Sequence, residues 1–160
     1  MKRLALLALI ALVGGCRKPT TKAPPPPDPA LTAVEQLEIA YLSTRDLYTK
    51  IQIMSELSDS TPAAAVEVIG RLFDFEQDTE LREELLVSLM DVDGELDAKR
   101  ELLEEALDPD LPEPVRLTAI DHLIGLGDKR SLPALQKYVA DPSQEVRRAI
   151  EDALNELMDR

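Results

Sequence analysis

The sequence predicts an all-α fold, a short right-handed α-solenoid of stacked antiparallel helix pairs with about eight helices. The main observation is a passage that occurs twice in the last third of the chain. Asp108-Pro109 returns as Asp141-Pro142, 33 residues later, and Val115-Arg116 returns as Val146-Arg147, 31 residues later. A recurrence of this length is typical of stacked two-helix units. In addition, no run of residues alternates between polar and apolar with period two, so we expect no sheet.

The composition favours thin helical layers and excludes several functions. Aromatic residues make up 3% of the 160 residues and there is no Trp, so the core must consist of aliphatic side chains. The formal net charge of −13 opposes the approach of a nucleic-acid backbone, and we expect no nucleic-acid binding. The single cysteine excludes an intramolecular disulfide and a cysteine-based zinc site.

The first sixteen residues are typical of an export signal. A basic start at Met1-Lys2-Arg3 is followed by ten apolar residues, 4–13. A helix of ten residues spans only about 15 Å, half of the roughly 30 Å of a hydrocarbon core, so this stretch is too short to cross a membrane. An ordinary secretory signal, in which Cys16 has no role, is the alternative to the interpretation that follows.

Val13-Gly14-Gly15-Cys16 resembles the lipobox of bacterial lipoproteins. This resemblance implies cleavage between Gly15 and Cys16 and a diacylglyceryl or further acyl lipid on Cys16, and we expect no other cofactor. Two or more acyl chains anchor a protein durably, whereas one gives only marginal binding. Arg17, in place of the Asp that retains such proteins at the inner membrane, favours the periplasmic side of the outer membrane.

The chain divides into a signal peptide (1–15), the lipidated cysteine with a proline-rich linker (16–29) and a helical domain (30–160). The linker contains Pro19, Pro24 to Pro27 and Pro29, which cannot continue a helix. We expect it to be disordered or polyproline-like, with a reach of roughly 40 Å. It serves as a spacer from the membrane or, alternatively, as a ligand for a proline-recognition domain.

The helices are predicted from capping signals and from apolar residues at helical spacing. Thr32 with Glu35 forms a capping box that opens the first helix, and Thr61-Pro62 opens the third. The predicted helices are, in order, 32–42, 44–57, 61–73, 79–90, 96–107, 114–126, 131–140 and 142–158. The predicted inward residues of the second helix are Leu47, Ile51, Met54 and Leu57, and those of the last are Val146, Ala149, Ile150, Ala153, Leu154 and Leu157.

The segment 125–154 resembles HEAT-like repeats of the bacterial, bilin-lyase type. The resemblance rests on Gly125-Leu126-Gly127-Asp128, Leu132-Pro133-Ala134-Leu135 and the Asp-Pro to Val-Arg-Arg-Ala-Ile run at 141–150. It is strong over 108–160 and thinner over 44–107. It implies contacts between an aspartate and the early arginine of the first helix in each pair. The matching positions are Asp108 with Arg116, Asp141 with Arg147 and, by a poorer match, Asp78 with Arg82, and we expect a structural role for them.

The sequence offers little for catalysis, and we predict that the protein is not an enzyme. His122 is the only histidine, and no second histidine or free cysteine is present to complete a catalytic or metal site. The acidic turn 91–97 suggests a calcium loop. Its register opposes this, because aligning Gly94 with the loop glycine places Leu89 and Arg100 at ligand positions. We therefore predict a helix–helix turn and no metal.

The predicted function is an envelope-anchored scaffold that binds a protein partner through the surface of the second helices. The resemblance implies that these helices line a concave surface. A strongly acidic domain favours a basic protein or peptide, and we expect a monomer. A calcium-dependent or structural envelope role is the alternative; a lyase role is disfavoured because that chemistry is cytoplasmic. The predicted contact residues are Glu67, Arg71, Lys99, Arg100, Glu104, Gln136 and Lys137.

Overall fold

The structure is a computed structural model that describes residues 32–160, and all regular secondary structure within this range is helical. The signal peptide, Cys16 and the proline-rich linker lie outside the described residues. A 3₁₀ turn, Lys129–Ser131, precedes the seventh helix. The helices are α1 (Ala33–Ser43), α2 (Leu47–Ser58), α3 (Pro62–Phe75), α4 (Thr79–Asp91), α5 (Leu96–Glu105), α6 (Glu113–Leu126), α7 (Leu132–Lys137) and α8 (Gln144–Asp159). The all-α prediction of about eight helices is confirmed.

The helices pack in two rows, as in an α-solenoid. One row, the first row, consists of α2, α4, α6 and α8, each packed on the next. In the second row α1 packs on α3 and α3 on α5, while the short α7 lies against α8. The core lies between the rows and is almost wholly aliphatic, as the composition predicts, with Tyr41 the only aromatic side chain among the largest fully buried ones in residues 32–160.

The predicted capping box at the start of α1 is present. The backbone N–H of Thr32 donates to Glu35 Oε2 at 2.7 Å, and the N–H of Glu35 donates to Thr32 Oγ1 at 3.3 Å. Each side chain thus satisfies a backbone donor that the first turn leaves without a partner. Further along the chain, Gly127 has φ 65° and ends α6. This left-handed conformation favours glycine.

The inward face of α2 was wrongly predicted. Leu47 and Ile51 are 49% and 38% exposed, whereas Ile53 is buried with Met54 and Leu57. Lys50, whose side chain is 13% exposed, lies on the same face as these three, so that positions 50, 53, 54 and 57 follow one another at spacings of three and four. A lysine thus occupies an inward position, and a search for apolar residues alone moves the predicted stripe to the neighbouring face.

Candidate interaction surface

The four turns that lead into the first-row helices share one hydrogen bond. In each turn a side-chain oxygen accepts from the backbone N–H two residues later. The acceptor–donor pairs and distances are Thr44 and Asp46 at 3.1 Å, Glu76 and Asp78 at 3.2 Å, Asp108 and Asp110 at 2.9 Å, and Asp141 and Ser143 at 2.8 Å. The acceptors lie 32, 32 and 33 residues apart. This spacing defines the repeat through the first half of the domain, where the sequence pattern is thin.

Each first-row helix carries a basic residue four positions after its N-cap, and two of the four reach the turn of the next repeat. Lys50 Nζ lies 2.6 Å from Glu76 Oε2, 26 residues later. Arg116 Nη2 lies 3.0 Å from Asp141 Oδ1, 25 residues later. We call these contacts the inter-repeat pairs. Glu76 and Lys50 are not predicted as site residues from the sequence. Two patterns could have indicated them: an acidic residue two positions before an aspartate N-cap for Glu76, and a basic residue four positions after an N-cap for Lys50.

The predicted pairing of Asp108 with Arg116 and of Asp141 with Arg147 is therefore off by one repeat. Arg116 bonds the aspartate that follows its helix pair, and it also donates to the backbone oxygens of Pro109 and Leu111. Arg147 donates to the backbone oxygens of Asp141 and Pro142 at 2.5 and 3.1 Å. Arg116 and Arg147 thus each donate to backbone oxygens of the turn that precedes their own helix. The carboxylate that pairs with Arg116 comes from the next repeat.

The equivalent contact of Arg82 with Asp108 is not formed. Arg82 makes no ion pair with any described residue, its Nε is buried without a hydrogen-bond partner, and its guanidinium lies 5.7 Å from the centre of the Phe73 ring. An open cavity of about 250 Å³ lies here. Its lining residues are Phe73, Asp74, Arg82, Glu105, Asp108, Asp110 and Leu111.

Glu76 is held ionised in the first inter-repeat pair. Its burial raises the pKa, but hydrogen bonds from Lys50, the backbone of Asp78, Tyr41 and the backbone of Gln77 outweigh burial and lower the pKa to about 2. The same contact and burial raise the pKa of Tyr41, whose hydroxyl donates to Glu76 Oε2 at 2.9 Å. Both groups therefore keep one protonation state at neutral pH, which suits a structural role.

The predicted partner-binding cations differ widely in accessibility. Lys99 is 4% exposed, and its Nζ donates to the backbone oxygens of Met90 and Val92. Its assignment to the binding surface is wrong, because the ammonium is needed inside the turn to satisfy backbone oxygens. Lys137 is exposed, with its Nζ 3.0 Å from the hydroxyl of Tyr138.

Arg71 and Arg100 lie on the second row, but carboxylates already engage both. Arg71 bridges Glu38 of α1 and Glu67 of its own helix, each at 2.7 Å. Arg100 pairs with Glu104 at 2.9 Å, with a longer contact of 3.7 Å to Asp128. Since these charges are compensated internally, they do not present a free positive site to a partner.

The surface is consequently acidic, although four exposed basic residues make no ion pair with a described residue: Arg45, Lys129, Lys137 and Arg148. From residue 32 onward the chain has 30 acidic and 13 basic residues. Arg130, like Arg71, is bound by two carboxylates of the same domain. Its Nη2 lies 2.6 Å from Asp97 Oδ1 and 2.7 Å from Asp128 Oδ2. We define the second-row surface as the exposed side chains of α3, α5 and α7, including Glu67, Asp97, Glu101 and Gln136.

The acidic turn 91–97 is organised around the ammonium of Lys99. Its backbone oxygens at Met90 and Val92 accept from that group, and Gly94 and Glu95 adopt φ of 68° and 49°. No group of three or more His, Cys, Asp or Glu side chains within residues 32–160 is placed to hold a metal ion.

His122 is half-buried on α6. Its Nε2 is buried and has no hydrogen-bond partner, and burial lowers the pKa of the imidazole despite the charges of Asp121 and Asp91. The neutral imidazole has no neighbouring nucleophile or orienting carboxylate bond among the contacts of the described residues. His122 is thus a partly exposed helix residue, as predicted.

The geometry defines an α-solenoid protein built from repeated helix pairs. Within the described range no helix has the length and apolar character needed to cross a membrane. Residues 100–160 match the family described as HEAT repeats, which covers most of α5 and all of α6 to α8. No curated protein matches the chain. The HEAT-like resemblance is thus supported for the C-terminal part, and it favours a protein-interaction scaffold over a catalyst.

Proposed function

We propose that this protein is a lipid-anchored scaffold of the bacterial cell envelope that binds a basic protein segment through its second-row surface. The observation that carries the proposal is the compensation of the basic side chains. Arg71, Arg100 and Arg130 are bound by carboxylates of the same domain, so the remaining excess of acidic groups faces solvent. Such a surface attracts positively charged partners and repels negatively charged ones.

The anchor is part of the same proposal and rests on the sequence Val13-Gly14-Gly15-Cys16. A lipid on Cys16 holds the solenoid on the periplasmic side of a membrane, with the outer membrane favoured by Arg17. Metabolic labelling with an alkyne fatty acid tests it directly. Labelled protein is expected from the wild type and not from a Cys16→Ser variant; equal labelling of the two, or none of either, refutes the anchor.

In-cell photocrosslinking tests the binding surface. A photoreactive amino acid replaces Glu67, Glu101 or Gln136, which are exposed on three second-row helices. Glu84, exposed on the first-row helix α4, provides the matched control. We expect one recurring protein adduct from the second-row positions and none of it from the control. Adducts that are equal on both rows, or scattered among many proteins, refute binding through this surface.

Salt dependence tests the charge argument independently. Binding between exposed opposite charges is screened as the Debye length falls from about 10 Å at 0.1 M salt to 3 Å at 1 M. We therefore expect the purified protein, without a crosslinker, to bind the partner that crosslinking identifies about tenfold more weakly at the higher ionic strength. An unchanged affinity would show that the partner does not depend on the acidic surface.

A further inference from the structure

The turn between α1 and α2 carries a concentration of exposed apolar side chains. Five of the ten large exposed apolar residues in residues 32–160 lie between positions 39 and 51, and the other five are distributed singly over the remaining elements. Tyr48 is the most exposed of the ten, at 68%. We call these five the α1–α2 face: Ile39, Leu42, Leu47, Tyr48 and Ile51.

This face is exposed because of the position of α2 in the first row. Each of α4, α6 and α8 packs on the preceding first-row helix, while α2 has α4 on one side and no described first-row helix on the other. At the opposite end of the described stack, the outward side of α8 is polar. Its exposed residues include Arg148, Glu151, Asp152 and Asn155, with Met158 the one large apolar exception among them. The two ends therefore differ in chemistry.

The charge of the domain is low at this end. Residues 32–58 carry four acidic and two basic residues, whereas the middle of the domain, residues 59–128, carries 20 acidic and five basic residues; residues 129–160 carry six of each. Arg45, in the turn itself, is exposed and forms no ion pair with any described residue. An anionic surface thus repels the α1–α2 face less than it repels the middle of the domain, and the turn offers one free guanidinium to such a surface.

The size of the face argues against a stable complex in solution. Five partly exposed residues leave at most a few hundred Å² of apolar surface, within the range of the largest patch on a typical monomer. A stable protein–protein interface needs about 800 Å² from each partner. A small face is sufficient, however, for binding to a surface near which the chain is already tethered. A short tether supplies an effective concentration on the order of millimolar, so the binding can be weak.

We infer that the α1–α2 face rests on the membrane surface to which the chain is anchored. The inference depends on the proposed lipid anchor at Cys16. Fifteen residues separate Cys16 from Thr32, a contour of at most about 50 Å. Tyr48 and the aliphatic side chains enter the interfacial layer, where tyrosine is enriched, and Arg45 contacts phosphate groups. The solenoid then stands on one end, which leaves the second-row surface accessible to a partner.

The absence of tryptophan from the sequence provides a direct test. A Tyr48→Trp variant places a single fluorophore in the face, and Val139→Trp, at an exposed position after α7, is its matched control. Full-length lipidated protein is reconstituted in vesicles of phosphatidylethanolamine and phosphatidylglycerol with brominated acyl chains. We expect Tyr48→Trp to lose about half of its emission and to shift to shorter wavelength, as an interfacial indole does, while Val139→Trp is unchanged.

Flotation with the vesicles tests the lipid anchor, and quenching of Tyr48→Trp tests docking of the α1–α2 face. Protein that floats with the vesicles but shows an unquenched Tyr48→Trp signal retains the anchor and refutes docking. Protein that does not float refutes the anchor and the docking with it. A blue shift that appears without lipid and grows with protein concentration identifies a second copy as the occupant and also refutes docking. Leu47→Asp together with Ile51→Asp should abolish quenching of Tyr48→Trp with unchanged flotation and an unchanged helical spectrum.

Discussion

Replacing Asp141 by alanine tests the inter-repeat pair between the third repeat and α8. The carboxylate and Arg116 are both almost fully buried, with side-chain exposures of 0% and 5%. Removing one partner of a buried pair leaves the other charge without compensation and costs about 3–5 kcal/mol. Asp141 Oδ2 accepts no hydrogen bond, so the wild-type carboxylate is itself incompletely satisfied. We therefore expect the lower end of that range, about 3 kcal/mol.

Urea denaturation monitored by circular dichroism measures this loss, and a thermal melt should show a midpoint about 10 °C lower. Asp108→Ala is the matched control because Asp108 occupies the same place in the preceding turn, is exposed and forms no ion pair with a described residue. We expect its free energy of unfolding to change by less than about 1 kcal/mol. Similar losses in the two variants would refute the reasoning.

Hydrogen exchange locates the same effect along the chain. Repeats of a solenoid contact mainly their neighbours, so the loss of one inter-repeat pair should loosen the terminal helix first. In Asp141→Ala the amides of α8 are expected to exchange faster than in the wild type, with α2 and α3 unchanged. A double-mutant cycle with Arg116→Ala should give a coupling of about 2 kcal/mol. Additive losses would show that the two side chains do not act together.

Three further predictions follow from single sites. The pKa of Glu76 is lowered in the folded protein, so the ionised carboxylate stabilises the fold. This stabilisation is complete above the ordinary pKa of a glutamate, near 4.5, and is lost as the pH falls toward about 2. In thermal melts from pH 5 to pH 2, Glu76→Gln should remove this part of the acid dependence. Gly127→Ala should lower the free energy of unfolding by about 1–2 kcal/mol because φ is positive at this position. Gly125 lies within α6, and an added Cβ there would meet open space, so Gly125→Ala should be neutral or stabilising by up to about 1 kcal/mol in the same denaturation assay. Lys99→Met should lower the free energy of unfolding by about 2 kcal/mol, because two backbone oxygens lose their donor. Millimolar calcium should leave the melting temperature of the wild type unchanged. A rise with calcium would support the calcium-dependent alternative.

The sequence predicts the helices of this domain well because their starts and ends depend on local chemistry. The capping box at Thr32 and the glycine that ends α6 act within a few residues of themselves, so their effects can be anticipated without tertiary information. The face that each helix buries depends on its neighbours instead. Lys50 points inward because Glu76 lies 26 residues away to receive it, and no periodicity of apolar residues can indicate that.

The accessibility of the basic side chains is hard to predict for a related reason. A basic residue in a helix suggests a binding contact when its surroundings are unknown, and the predictions for Lys99 and Arg100 rest on that. The backbone oxygens of the acidic turn bind the first, and Glu104 pairs with the second. In a chain with so many carboxylates, internal ion pairs engage many of the basic side chains, so a partner is better sought through the excess of acidic groups.

The open contact between Arg82 and Asp108 shows how a local insertion changes a repeated structure. Six residues separate the turn acid from the helix base in the repeats that begin at Glu76 and Asp141, but eight separate Asp108 from Arg116. The longer turn leaves Asp108 exposed, out of ion-pair reach of Arg82. Arg116 donates to two backbone oxygens of this turn, which keeps it against α6. The two extra residues are visible in the sequence, yet their consequence falls on an arginine one repeat earlier, because the pair forms between repeats and not within one.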